Sequence, residues 1–172
     1  MGQRKAVVAI VGRPNVGKST LFNRFLGERR AVVDNLSGVT RDRNYAEVAW
    51  NRRVFTLIDT GGYIPRPDEP LAEDVTRQVE IALSEADLIL MVVDSKTGPT
   101  DYDGEMVRLI RTCGTPYLLV VNKIDSERDE PDAAPFYSLG LGDPVGVSAL
   151  SGRLSGDLLE EVIARLPEGE ED

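Results

Sequence analysis

The string Gly12-Arg13-Pro14-Asn15-Val16-Gly17-Lys18-Ser19 sets two glycines with four residues between them, followed at once by an ammonium and a hydroxyl. Glycines let backbone N–H groups converge on an anion where a Cβ would block approach, and a helix opening behind them adds partial positive charge. This is the pattern of a phosphate loop. Lys18 is then placed to reach the β- and γ-phosphates of a nucleotide. Ser19 supplies a hard oxygen to Mg²⁺, and Thr20 closes the nucleotide-contacting run.

A phosphate loop alone does not separate ATP from GTP, but Asn122-Lys123-Ile124-Asp125 does. A carboxylate at Asp125 accepts from the N1–H and exocyclic amine of guanine, whereas adenine presents no such donor pair. Asn122 and the stem of Lys123 are expected to shape the base pocket. Ser148-Ala149-Leu150, after the next short apolar run, is expected to bring a backbone N–H to the guanine oxygen. Asp59-Thr60-Gly61-Gly62 follows another strand-like run; Asp59 suits Mg²⁺ held through water, and the Gly62 N–H suits the γ-phosphate. Thr40, in a loop without periodicity, is the candidate for a second hydroxyl on Mg²⁺, against the plainer reading of an ordinary loop residue. Lys18, Asn15, Thr40 and Gly62 form the expected catalytic set.

These loops need elements to hold them. Residues 5–12 contain a continuous apolar run suited to a strand buried on both faces, and 18–26 follow as a helix with Leu21, Phe22, Phe25 and Leu26 on one stripe. Residues 28–44 read as a mobile loop, and 59–70 as irregular. Residues 45–50 and 53–58 bracket Asn51-Arg52 as antiparallel strands, with Trp50 packing at the turn. Helices are expected at 71–84, 101–113 and 155–166, and buried strands at 88–93, 116–121 and 144–147. Strands alternating with helices predict an α/β domain over residues 1–166, built on a mostly parallel six-stranded sheet flanked by helices. Residues 167–172 read as an acidic tail or the start of a linker.

Composition narrows the rest. The chain has 172 residues with 41% hydrophobic and 28% charged content, enough for one core. The longest apolar run is too short for a bilayer, so no membrane partner is expected. One cysteine, Cys113, excludes an internal disulfide; it reads as a small core or near-surface apolar residue, and the chain as cytoplasmic. A net charge of −9 argues against nucleic-acid binding by bulk electrostatics. Seven arginines nevertheless fall between Arg24 and Arg53. They read as a solvated surface near an anionic ligand in preference to an RNA-docking face.

With no histidine, the chain has no imidazole base, and Tyr63 stands where many proteins of this fold carry a water-orienting glutamine. The Asn15 amide oxygen is a candidate to hold a monovalent cation beside the phosphates, with Arg13, Arg41 and Arg43 as alternatives in cis. Intrinsic turnover is expected to be slow.

Taken in order, the loops resemble those of the Era/MnmE/EngA group of translation-factor-type GTPases, and most closely the first G domain of the EngA/Der family. The resemblance rests on residues 12–24, Gly38-Val-Thr-Arg-Asp-Arg43, Asp59-Thr-Gly-Gly62 and Phe136-Tyr-Ser-Leu-Gly-Leu-Gly142, and covers essentially the whole chain. It implies a Ras-like fold, GTP hydrolysis to GDP without the glutamine, K⁺ stimulation through Asn15, and a role in large ribosomal subunit maturation. Family members carry a second G domain and an RNA-binding KH-like domain, both absent here, so ribosome contact is expected through the longer protein and this domain is expected to be monomeric. The runner-up is a nucleotide sensor with negligible turnover. Arg153-Leu154 departs from the family's glycine-rich stretch, with little expected consequence.

Overall fold

The computed structural model describes residues 5–28, 31–33, 44–60 and 73–167. Among the described residues, seven strands and four α-helices follow one another. The strands are β1 (Ala6–Val11), β2 (Ala31–Val33), β3 (Asn44–Trp50), β4 (Arg53–Asp59), β5 (Leu88–Asp94), β6 (Tyr117–Asn122) and β7 (Val145–Gly146). The helices are α1 (Lys18–Glu28), α2 (Glu73–Glu85), α3 (Asp101–Cys113) and α4 (Ser155–Arg165). They form one sheet in the order β2-β3-β4-β1-β5-β6-β7, so the sheet has seven strands where six were expected. The extra strand is β2, which pairs antiparallel with β3 inside the stretch expected to be loop.

The central strands are apolar on both faces because helices cover both. Leu88, Leu90 and Val92 of β5 join one core, with Leu21, Phe22 and Phe25 of α1 and Leu158, Leu159 and Val162 of α4. Ile89, Met91 and Val93 join the other, with Val79 and Leu83 of α2 and Met106, Val107 and Ile110 of α3. That split follows the two-residue alternation of side chains along a strand. β6 divides in the same way, Leu118 and Val120 to the first core and Leu119 and Val121 to the second.

β1 pairs parallel with β4 and β5, and β5 with β6. Their carboxyl ends therefore share one edge of the sheet: Ile10 lies opposite Asp59, and Asp94 opposite Asn122. In an open parallel sheet this edge is where ligands bind. The β3–β4 connection is the two-residue hairpin expected at Asn51-Arg52, both residues having positive φ (48° and 65°) as a turn matched to strand twist requires. Trp50 packs against the first core and its indole N–H donates to Glu160 at 3.0 Å.

α3 has the predicted bounds because both ends are chemically marked. Thr100 and Asp103 form a reciprocal capping box (2.9 and 3.3 Å), and Gly114 ends the helix at φ 71°. Cys113 is exposed at that end, its thiol 2.9 Å from the Ile110 carbonyl oxygen. A 3-10 segment, Glu127–Leu139, contains Pro131 and Pro135 and had no counterpart among the expected elements. Phe136 anchors it in the second core, fully buried, and Leu141 follows it there. Arg111 of α3 donates to the Gly140 carbonyl at 2.8 Å. The 136–142 string thus has a structural purpose, fastening the segment after β6 to α3.

Thr40, Gly61, Gly62, Tyr63, Arg29, Arg30, Arg41, Arg43 and the acidic tail 168–172 lie outside the described residues. Among the described residues no helix is long and apolar enough to cross a membrane. Truncating Phe136 to alanine should remove the anchor of the 3-10 segment at a cost of about 3–5 kcal/mol. Urea unfolding of Phe136→Ala against the parent chain measures this; a midpoint shift under a third of that size would show the segment held by other means.

Candidate functional site

The phosphate loop leaves β1 at Val11 and ends in α1 at Lys18. Both glycines are required by contact as well as by conformation. Gly12 has φ 152° and a Cβ there would strike the Val92 carbonyl oxygen; Gly17 has φ 98° and a Cβ there would strike the Asn122 amide. Val16 is fully buried in the first core, so the loop is pinned between its ends. Asn15 sits exposed at φ 69°, and Thr20 is exposed on the first turn of α1.

Lys18 is buried, and its ammonium donates to the carbonyl oxygens of Gly12 and Arg13, both at 2.8 Å. Burial pushes its pKa down to about 8; the Asp59 carboxylate works against this and the Arg13 charge adds to it. An anion drawn into this loop therefore meets a cation already desolvated, with two weak backbone acceptors to give up.

Asp59 ends β4, and its carboxylate accepts from the Ser19 hydroxyl at 3.3 Å. A hydroxyl and a carboxylate side by side at the loop mouth are hard oxygen donors that fit Mg²⁺. Among the described residues no three His, Cys, Asp or Glu cluster, so this pair suits an ion that takes its other ligands from water and phosphate. Thr60, also expected among the nucleotide contacts, is engaged within the sheet. Its hydroxyl and its N–H both donate to the Ile10 carbonyl (3.0 and 3.3 Å), tying β4 to β1.

Asn122 ends β6 and is buried. Its amide, expected to shape a base pocket, bridges the phosphate loop and the 148–150 loop. Nδ2 donates to the Val16 carbonyl at 2.8 Å and Oδ1 accepts from the Ala149 N–H at 2.9 Å. Lys123, at φ 71°, runs its side chain to Asp94, donating to Oδ2 at 2.7 Å. Asp125 accepts from the Ser148 hydroxyl at 2.8 Å, which in turn accepts from the Ser151 hydroxyl at 2.8 Å. The carboxylate expected to read the base is thereby oriented by a two-hydroxyl chain. Of the N–H groups in the 148–150 loop, that of Ser148 donates to the Arg153 carbonyl and that of Ala149 to Asn122.

The Arg13 guanidinium, weighed as an arginine acting in cis, is engaged by protein partners. Its Nη2 donates to the Thr97 hydroxyl at 2.6 Å and lies 3.8 Å from Asp94. Asp94 was missed in the sequence, although an acid at the carboxyl end of a buried strand, on the ligand edge of a parallel sheet, is a readable signal. Arg24, Ser151 and Arg153 were missed as well. Arg153 donates to the Ile124 carbonyl at 3.3 Å and to Glu130 at 2.8 Å, so its departure from glycine has a consequence: it braces the base loop. Leu154 beside it sits at φ 64°.

A family model described as 50S ribosome-binding GTPase matches residues 7–123. The chain belongs to that family. Its relatives include GTPase Der of Herpetosiphon aurantiacus, 50% identical over 98% of this chain, and GTPase Der of Moorella thermoacetica, 52% identical over 95%. The chain spans only 38% and 37% of the length of those two relatives. Among solved structures it is similar to Era of Aquifex aeolicus bound to GDP.AlF4- (TM-score 0.76, 31% identity, covering 97% of this chain and 59% of that one). It is also similar to Era in complex with MgGDPNP and a segment of 16S ribosomal RNA (TM-score 0.77, 31% identity, 99% and 59%). The fold of this GTPase-family chain is thus the P-loop G domain, as the loops implied.

Asp94 gives the site a measurable pH signature. Burial alone would raise its pKa, but the Lys123 hydrogen bond, the Lys96 N–H and the charges of Lys123 and Arg13 outweigh burial and hold it below the ordinary value. A folded value below the unfolded one means stability present above about pH 4 and lost as pH falls through the depressed value. Urea midpoints between pH 7 and 3 should therefore fall less steeply in Asp94→Asn than in the parent chain. Parallel slopes would contradict the assignment.

Proposed function

We propose that this chain is the first G domain of a longer protein serving large-subunit ribosome assembly, and that it binds GTP and GDP and hydrolyses GTP as a switch. One observation carries the reading. The phosphate loop and the guanine-reading loop open on the same sheet edge and are joined through a single buried amide, Asn122. Phosphate and base are therefore read by one connected unit.

In this reading the N–H groups of residues 13–18 and the Lys18 ammonium hold the β- and γ-phosphates, and Asp125 accepts from the guanine edge. Ser19 and Thr40 would supply hydroxyls to Mg²⁺ and Asp59 would hold it through water; the ion would supply neutralisation of the charge on the phosphate oxygens. Gly62 donates its N–H to the γ-phosphate. Water attacks the γ-phosphorus as the bond to the bridging oxygen breaks, giving GDP and phosphate. Thr40 and Gly62 lie on loops that γ-phosphate and metal hold and that hydrolysis releases.

With Arg13 held by Thr97 and Asp94, the exposed Asn15 would hold K⁺ beside the phosphates, and the ion would supply the positive charge an arginine otherwise gives. The engagement of Arg13 equally favours the second reading, a nucleotide sensor with negligible turnover. The protein acts in the cytoplasm, and ribosome contact belongs to its remaining domains, a second G domain and a KH-like domain.

Turnover of Mg²⁺-GTP by this chain in KCl against NaCl, with Asn15→Ala beside the parent, tests the reading. The expected result is stimulation by K⁺ of roughly tenfold or more, lost in Asn15→Ala with GDP affinity retained. Tight GDP binding without turnover in either salt would establish the sensor. Equal turnover in both salts, unchanged in Asn15→Ala, would remove the cation mechanism.

A further inference from the structure

Arg24 lies on α1, five residues beyond Ser19, and none of the nucleotide motifs includes it. Its guanidinium crosses to the base loop. Nε donates to the Ala149 carbonyl at 3.0 Å and Nη2 to the Leu150 carbonyl at 2.6 Å. Gly152, at φ 85°, leaves room for this; a Cβ there would sit 3.3 Å from the guanidinium carbon.

The Ala149 carbonyl and the Leu150 N–H belong to one planar trans peptide, so they point in opposite directions. Fixing the carbonyl on the α1 side fixes the N–H on the other. Among the described residues that N–H is the one in the 148–150 loop with no hydrogen-bond acceptor, since those of Ser148 and Ala149 are engaged by Arg153 and Asn122. Side-chain packing does not orient the loop tip, because Leu150 is 80% exposed. The turn is closed by the N–H groups of Gly152 and Ser151 donating to the Ser148 carbonyl and hydroxyl, and Arg24 is the side chain that holds the Ala149 and Leu150 carbonyls.

The geometry points to Arg24 as a positioning residue for base specificity, aiming the Leu150 N–H at the 6-oxygen of guanine. This rests on the guanine-binding reading above. A fixed donor accepts a 6-oxo purine and rejects a 6-amino one, whose exocyclic nitrogen is itself a donor. Arg24 thus complements Asp125, which reads the other side of the guanine edge. It also links the helix that begins at the phosphates to the loop that reads the base.

Two analogues separate these contacts. Inosine diphosphate keeps the 6-oxygen and the N1–H and lacks the 2-amino group. The diphosphate of 2-aminopurine riboside keeps the amino group and lacks both the 6-oxygen and the N1–H, so the 6-oxygen contact is read from how the ratio to GDP changes between the parent chain and variants that retain Asp125. Titration calorimetry with each and with GDP should show the parent chain preferring GDP to the 2-aminopurine analogue by about tenfold or more. In Arg24→Ala, GDP and inosine diphosphate should weaken about tenfold while the 2-aminopurine analogue stays within about twofold. Arg24→Lys, whose ammonium reaches one carbonyl, should fall between. The comparison is a ratio between ligands on one variant, so general loosening of the fold cancels. Equal loss for all three ligands, or no loss for GDP, would overturn the assignment. A parent chain that binds GDP and the 2-aminopurine analogue equally would overturn the guanine reading of the site as a whole, and this inference with it.

Discussion

The Asn122 carboxamide is the tie on which the nucleotide mouth depends. It donates to the phosphate loop at Val16 and accepts from the base loop at Ala149, segments separated by more than a hundred residues. A buried amide with both ends engaged has no low-energy alternative, because turning it over would set donor against donor and acceptor against acceptor. Gly17 is required by the same contact, since any side chain there would displace the amide. The distance between phosphate and base sites is thereby set before any ligand arrives, and a ligand spanning both need not organise them.

Around this tie the sheet edge carries a graded set of charges. Lys18, Asp59 and Ser19 sit at one end, and Asp94, Lys123 and Arg13 form a second network beside them. The second network matters because of what it withholds. Arg13 and Lys123 are both directed at Asp94, so the cationic side chains flanking the loop are committed to the protein. Lys18, desolvated and held by carbonyl oxygens, is the charge in this set placed to exchange its partners for phosphate.

Much of the fold was legible in the sequence because its physical markers are local. The helix Asp101–Cys113 carries its cap at Thr100 and its stop at Gly114, and the Asn51-Arg52 hairpin lies between alternating strands. Strand β2 was hidden because three residues cannot display a period, and its pairing with β3 depends on what the rest of the chain has formed. The 3-10 segment was hidden too, because two prolines and a three-residue repeat resemble loop. In the site, residue types announced the candidates for phosphate, metal and base contacts. The bracing did not announce itself. Arg24 meets Ala149 across 125 positions, and nothing in either neighbourhood signals the meeting before the fold brings α1 against the base loop. Thr60 and Arg13 show the converse: motif positions whose side chains the fold directs to structural partners.

If one amide holds the two loops in register, removing it must loosen both. Amide hydrogen exchange in Asn122→Ala measures this without reference to ligand. Exchange should accelerate together at residues 16–18 and 149–151, with the strands β1, β5 and β6 still protected as in the parent chain. Acceleration confined to the base loop, with the phosphate loop unchanged, would contradict the account.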